Sequence, residues 1–328
     1  MSKANKNISM PEPAILRGLI SVIICTHNPR DDYFSRCLEG LKAQTLPHHS
    51  WELLIVDNMS SEPIEGRFDL QWHGRARIVV EEKLGLTPAR LRGIRETRGR
   101  VLVFVDDDNV IDPDFLETTL RVAAEKPFLG SWSGQCRPSF EADPPEWTRR
   151  YWGNLVIREF EEDRWSNLPR LPETMPCGAG LCVIREVAER YLQINEAGGR
   201  RFQFDRTGDS LVSGGDNDLA ACACDLGLGV GLVTALRLTH IIPPERLTLD
   251  YLSRLAEGIH FSGVILDAER GVTAAPRTLV GRLIDRGREM RLLQPHRSLL
   301  RAVHKGRSTA VDLLNSLSKD SQSQQVIK

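Results

Sequence analysis

Residues 81–109 read EEKLGLTPARLRGIRETRGRVLVFVDDDN. A basic amphipathic stretch, Pro88 to Arg98, runs into a continuous apolar run, Val101 to Val105, which ends abruptly in three carboxylates, Asp106, Asp107 and Asp108, and in Asn109. An apolar run of that length, closed by polar residues and preceded by a helix, is the signature of a strand buried on both faces of a parallel sheet. Working outward, the same alternation recurs. LISVIIC (19–25) is a strand followed by the loop THNPRDD, and Tyr33 to Gln44 is a helix with Phe34, Cys37, Leu38 and Leu41 on one face. Trp51 to Val56 and Arg77 to Val80 are further strands. Downstream, Asp112 and Pro113 read as a helix cap and first-turn proline opening a helix to about Glu125. The pattern predicts an α/β fold with crossover helices.

Open sheets of this kind bind ligands beyond the carboxyl ends of their strands, and three such ends carry Thr26, Asp57 and Asp106. From 130 to 180 the alternation breaks into a segment with four tryptophans (Trp132, Trp147, Trp152, Trp165), predicted to be an insertion over the sheet and the place to seek a second ligand; most of its tryptophans are expected in the core. Alternation resumes with a helix from Ile184 to Gln193, a helix to about Leu226 and a strand from Gly229 to Leu236. The expected organisation is a flexible lead (1–18), a catalytic domain (19–245) and a helical appendage (246–328) whose polar end, SKDSQSQQ, frays.

Composition narrows the partners. The chain has 328 residues, 41% of them apolar and 6% aromatic, with a formal net charge of -1. That excludes intrinsic disorder for most of the length and gives no polycation for nucleic acid. The neutrality is an average, because residues 270–307 hold ten Lys or Arg against two acids. No apolar run is long enough to span a bilayer, and the first residues lack a secretory signal pattern. Seven cysteines without a CxxC pair are expected to be free thiols in a reducing cytoplasm.

The Asp106–Asp108 cluster is the sharpest chemical feature. Adjacent carboxylates without a cation repel one another, and hard divalent ions such as Mg2+ or Mn2+ relieve that repulsion, typically binding through one or two carboxylates together with phosphate oxygens. With Asp112 assigned to the helix cap, the cluster is surplus to local need. A second feature, Ser213-Gly214-Gly215-Asp216-Asn217-Asp218-Leu219, places two carboxylates at a helix start. There either one serves as a general base for a hydroxyl or simply favours the helix N-terminus. Asp57 has its own modest alternative, a turn with Asn58 and Ser60.

In order along the chain, ISVIICTHN (20–28), ELLIVDNMSSE (52–62), the 81–109 stretch and SGGDNDLAACACDLG (213–227) resemble family 2 glycosyltransferases with the GT-A fold, a mixed sheet flanked by helices. The resemblance covers roughly 19–245. It implies transfer of a sugar from a nucleotide diphosphate sugar, most often a UDP-sugar, to a glycan or lipid-linked acceptor with inversion at the anomeric carbon. It further implies that Thr26, His27, Asn28, Asp57 and Arg90 hold the nucleotide, that Asp106 and Asp107 face the donor, and that Asp108 ligates Mn2+ or Mg2+. Asp216 takes the place of the family's catalytic aspartate, although Gly215 stands where a glutamate is usual and Leu91 where an asparagine is common. His240, in RLTHIIPPERLT (237–248), would be a third metal ligand, and Arg246 a phosphate clamp. Gly178, Ala179, Gly180 and Asp218 are assigned to the acceptor side.

Two rivals stand beside this reading. Asp106 to Val110 formally matches the nucleophile motif of haloacid-dehalogenase-like phosphatases, but three strands precede it where that motif should follow the first. A nucleotide-sugar- or carbohydrate-binding module that has lost its base would fit the altered Gly215. In the basic tail, Leu279, Leu283, Ile284, Leu292, Leu293, Leu299 and Leu300 lie among arginines. Packing of these leucines on the sheet domain is favoured over peripheral contact of 270–307 with the inner face of a membrane.

Overall fold

The computed structural model describes residues 20–169, 171–197, 214–272 and 279–325, excepting the side chains of 279, 282, 283 and 318–325. The lead (1–18) and Ser213 lie outside the described residues. Strands β1 (Ile20–Thr26), β2 (Trp51–Asp57), β3 (Ala76–Val80) and β4 (Val101–Phe104) are mutually parallel. They are linked by helices α1 (Asp31–Lys42), before β2, and α2 (Leu86–Glu96), before β4. The sheet grows to nine strands in the order β3-β2-β1-β4-β8-β6-β9-β5, with β7 also paired to β9. The later strands are β5 (Asn109–Ile111), β6 (Leu129–Phe140), β7 (Arg164–Ser166), β8 (Leu181–Ile184) and β9 (Gly229–Ile242), and β8 enters antiparallel to β4. The remaining helices are α3 (Phe115–Glu125), α4 (Arg185–Glu196), α5 (Gly215–Asp225), α6 (Leu249–Glu269), α7 (Leu279–Arg291) and α8 (His296–Gln325).

Why the apolar runs are continuous is plain from the packing. Alternate residues of one strand serve different cores: Val22 and Ile24 pack on the α1 side with Phe34 and Leu41, while Ile23 packs with Ala89 and Ile94 of α2. Each face is buried, so both sets of side chains are mostly apolar, and the buried exception, Ser21, donates to Glu52 Oε1 at 2.7 Å. A fully buried Ile, Leu or Phe contributes about 1.5–3 kcal/mol, and β1 alone places four such aliphatic side chains at 1% exposure or less.

Several expectations are corrected. The segment from 130 is not an insertion at its start: β6 occupies 129–140 inside the sheet, and Trp132 is fully buried. The excursion is confined to the chain between β6 and β8, including a 3-10 segment at Glu146–Leu155. Asp112 does not cap α3, which begins at Phe115. Instead its carboxylate pairs with Arg137, and its carbonyl accepts from Gln44 Nε2 at 2.8 Å. The alternation ends later than read, since β9 continues through His240 to Ile242. The backbone of the polar end is helical, within α8, through Gln325.

Helices α6 and α8 close a third core with the sheet domain, where Leu299 and Ala302 meet Leu155, Ile242, Leu247, Leu252 and Leu255. Their backbones approach closely at Gly306, where an added Cβ would lie 2.2 Å from the Glu257 carbonyl oxygen. Gly306→Ala is therefore expected to destabilise the chain by about 1–3 kcal/mol through overpacking, read as a lowered midpoint in urea denaturation. An unchanged midpoint would mean that α8 rides on α6 without close packing. No helix among the described residues is long and apolar enough to cross a membrane.

Candidate active site at the strand ends

Parallel register brings the ends of β1, β2 and β4 side by side, with Thr26 opposite Asp57. The loop after β1 is built by side chains. Asn28 sits at φ 52, in the left-handed region that asparagine tolerates. Its N–H donates to Ser60 Oγ at 2.9 Å, its Oδ1 accepts from Ser61 N at 2.7 Å, and the His27 ring is 2.7 Å from the Asn58 carbonyl. Asp57 is 4% exposed, and its two oxygens accept from Ser60 N (3.0 Å) and Ile64 N (3.3 Å). It thus makes the turn considered as its alternative role, and shapes the loop wall.

The residue that unites this wall is Asn58, which the sequence reading passed over except as a turn partner. Buried at 4% exposure, it donates to the carbonyls of Glu81 (3.1 Å) and Lys83 (2.8 Å) and accepts from Gly85 N (2.8 Å). Its side chain thereby locks the loop after β3 to the loop after β2. Leu91, the departure on α2, packs into the second core.

Beyond β4, the three aspartates have different fates. The Thr26 hydroxyl donates to Asp107, but burial and the nearby charge of Asp108 push the Asp107 carboxyl up to about 7. Burial and Asp108 likewise raise Asp106, opposed by Arg90. For Asp108 the balance reverses. Burial would raise it, yet His240 and Arg246 outweigh that and hold its carboxyl well below the usual carboxylate range. Asp108 Oδ2 lies 3.3 Å from His240 Nε2 and 2.9 Å from Arg246 Nη1. Position on β9, not beyond a strand, brings His240 here, because it pairs directly with Asn109. The His240 Nδ1 faces the Leu155 carbonyl at 3.1 Å, and its Nε2 lies 2.9 Å from Arg246 Nη1.

Across the site, Gly178 N donates to Asp216 Oδ2 at 2.7 Å. An added Cβ on Gly178 would sit 3.1 Å from that oxygen and 3.2 Å from Arg90 Nη2, so glycine permits the approach of the Asp216 carboxylate, the loop and the guanidinium. Burial works against the charge of Arg90, but the carboxylates of Asp216 and Asp106 outweigh it and keep the guanidinium ionised. The loop carrying Gly178 is braced by Arg158, which donates to the Met175 carbonyl (3.0 Å) and to Ser133 Oγ (3.1 Å). Sequence offered no signal for Arg158, one arginine among many.

The structure thus gathers Thr26, Arg90, Asp106, Asp107, Asp108, Asp216, His240, Arg246 and Gly178. It does not bring Asp218 to an acceptor: that carboxylate is 2% exposed, with Arg270 of the appendage 3.3 Å away. Ala179 is core, and Gly180 lies against Leu238 and Phe115, so both serve packing. Trp165 is exposed, whereas Trp147 and Trp152 pack in the third core. All seven cysteines are free thiols.

Comparison with known proteins agrees with this fold. The family model "Glycosyl transferase family 2" matches residues 21–191, just over half of the chain, from β1 into α4. A putative glycosyltransferase, EpsH, of Bacillus subtilis is 30% identical over 109 residues, which cover 33% of this chain and 31% of that protein. The putative teichuronic acid biosynthesis glycosyltransferase TuaG of the same organism is 30% identical over 124 residues, covering 36% and 47%. The matched stretches therefore span less than half of these relatives. The crystal structure of S. aureus TarS 1-349 superposes with a TM-score of 0.50 at 13% identity over 93% of this chain and 92% of that one, a likeness of fold alone. With its DDDNV stretch after the fourth strand of such a sheet, the phosphatase reading has no place: the chain belongs to glycosyl transferase family 2.

Proposed function

We propose that the chain transfers a sugar from a nucleotide diphosphate sugar, a UDP-sugar in the first instance, to a hydroxyl of a glycan or lipid-linked acceptor, with inversion, in polysaccharide biosynthesis. The observation that carries this reading is the pairing of two unlike acidic centres. Asp216 is a single carboxylate with one oxygen anchored by Gly178 N–H and, among the described residues, no hydrogen bond to Oδ1. Asp108 is a carboxylate surrounded by cationic and metal-binding side chains.

In a single displacement one base suffices. Asp216 takes the acceptor proton as the oxygen attacks the anomeric carbon, and the nucleoside diphosphate leaves from the opposite face. Arg90, beside both Asp216 and Asp106, brings a positive charge between the two carboxylates. Thr26, His27 and Asn28 with the Asp57-shaped loop form the nucleotide wall, and Arg246 is the cation poised for the diphosphate.

Among the described residues no three His, Cys, Asp or Glu side chains form a closed metal cage. The residues nevertheless fit Mn2+ or Mg2+. A carboxylate oxygen and an imidazole nitrogen converge, and the Nδ1 of that imidazole is fixed on a backbone carbonyl, the usual support for a metal-ligating histidine. Few protein ligands are expected where diphosphate oxygens supply the rest. Asp108 and His240 would hold the ion, which when bound stabilises the charge of the leaving diphosphate as a Lewis acid.

Incubation with a panel of nucleotide sugars and Mn2+ tests the reading. At least one UDP-sugar is expected to be hydrolysed or its sugar transferred, with at least about a tenfold loss on adding EDTA. UDP binding without consumption of any donor would favour the binding module instead.

A further inference from the structure

The segment before α8 makes a surface that the sugar-transfer site does not use. Helix α7 packs against α8. Its acids turn toward α8, Asp285 lying 3.9 Å from His304 and Glu289 pairing with Arg301. Arg297, from α8, donates to the carbonyls of Glu289, Met290 and Leu292 at 3.2, 3.2 and 2.9 Å and so secures the helix end.

Among the described side chains of α7, those left exposed are Val280, Ile284, Arg286, Arg288, Met290 and Arg291. Val280 is 65% exposed, Ile284 51% and Met290 67%, and Leu293, just past the helix, is 79% exposed. Three apolar and three cationic side chains thus share the outward surface, and both acids are withdrawn from it. Single exposed apolar residues are ordinary, but a cluster on one rigid helix asks for a partner.

We propose that α7 and Leu293 form a docking face for an anionic lipid surface, on which the helix lies flat. Charge selects the occupant. A second copy of this chain would set arginines against arginines, whereas anionic headgroups complement them and acyl chains take Val280, Ile284, Met290 and Leu293. The face is mechanically close to the reaction site. Tyr151 Oη is 2.6 Å from His296 Nδ1 at the start of α8, and Tyr151 belongs to the same 3-10 segment as Leu155, whose carbonyl faces His240. On the sugar-transfer reading, attachment here would present the strand-end crevice to an acceptor anchored in that surface; the attachment itself does not depend on that reading.

Co-sedimentation of the full chain with vesicles of phosphatidylcholine, with and without one-third phosphatidylglycerol, tests the face without any sugar donor. Binding is expected to the anionic vesicles only and to weaken at high salt. It should fall at least about tenfold in Ile284→Glu/Met290→Glu, and by roughly twenty-five-fold in Arg288→Ser/Arg291→Ser, at about fivefold per arginine. All four positions are exposed, so thermal denaturation should match that of the parent chain. Absence of binding by the parent chain, or equal binding by the glutamate variant, overturns the proposal. A concentration-dependent dimer in sedimentation velocity, dissolved by the glutamate variant, would also overturn it and assign the face to self-association.

Discussion

Asp216→Asn is expected to leave the chain folded and able to hold nucleotide while lowering the transfer rate by about a hundred- to ten-thousand-fold. Asparagine retains an oxygen that can accept from Gly178 N, the contact now at 2.7 Å, so the position of the side chain is kept. What it cannot do is take a proton from an attacking hydroxyl. Steady-state kinetics should show the loss in kcat with little change in the KM for donor, and calorimetry should show unchanged UDP affinity. Retention of the parent rate would remove Asp216 from the role of base. Asp218→Asn is the informative contrast. Its loss would be one of stability, because that carboxylate is buried beside Arg270.

Asp108→Asn should produce the second large effect, a fall in transfer of about a hundred- to a thousandfold, now with weakened dependence on Mn2+. The side chain gathers His240 and Arg246, and its removal is expected to dissolve the cluster proposed to face the diphosphate. A pH signature accompanies it. The Asp107 carboxyl stands at about 7 against an ordinary value of 3.8, so the folded chain binds that proton more tightly than the unfolded chain. The stability this contributes is present at low pH and is lost as pH rises through about 7. Without the charge of Asp108, Asp107 falls toward its ordinary value, and the difference in melting temperature between pH 5 and pH 8 should narrow. A parent-like rate and an unchanged pH difference would together deny Asp108 its central place.

Much of this was legible from local pattern. The runs at 19–25, 51–56 and 101–105 are strands within one or two residues because strands buried on both faces are predominantly apolar, and their carboxyl ends deliver Thr26, Asp57 and Asp106 to one edge. Long-range pairing was not legible. β6 carries serines, glutamine and arginine and looks like loop, yet it pairs with β9 over almost its whole length. Asp112 has the local look of a cap, but its partner Arg137 comes from that same unrecognised strand. Asp216 and Asp218 are equivalent by spacing near the helix start, and only the approach of Gly178 to one and Arg270 to the other separates them. Asn58 was invisible as a brace because its three bonds all reach the backbone of a loop more than twenty residues away.

The ion pair between Arg270 and Asp218 has a consequence for how this protein is divided. The recognisable family region ends at residue 191, and the sequence suggests a natural cut near 245. Yet helix α5, which bears the proposed base, is neutralised by an arginine that lies beyond both boundaries. That arginine also pairs with Asp225 at the other end of the same helix, at 2.5 Å. What is inherited as a family segment and what folds as a working unit are therefore different lengths of chain. A graft of residues 19–245 onto another protein would carry the motifs but take Arg270 away from a buried carboxylate two residues from the proposed base, so exchange between relatives is expected to keep more activity when the C-terminal helices travel with the rest.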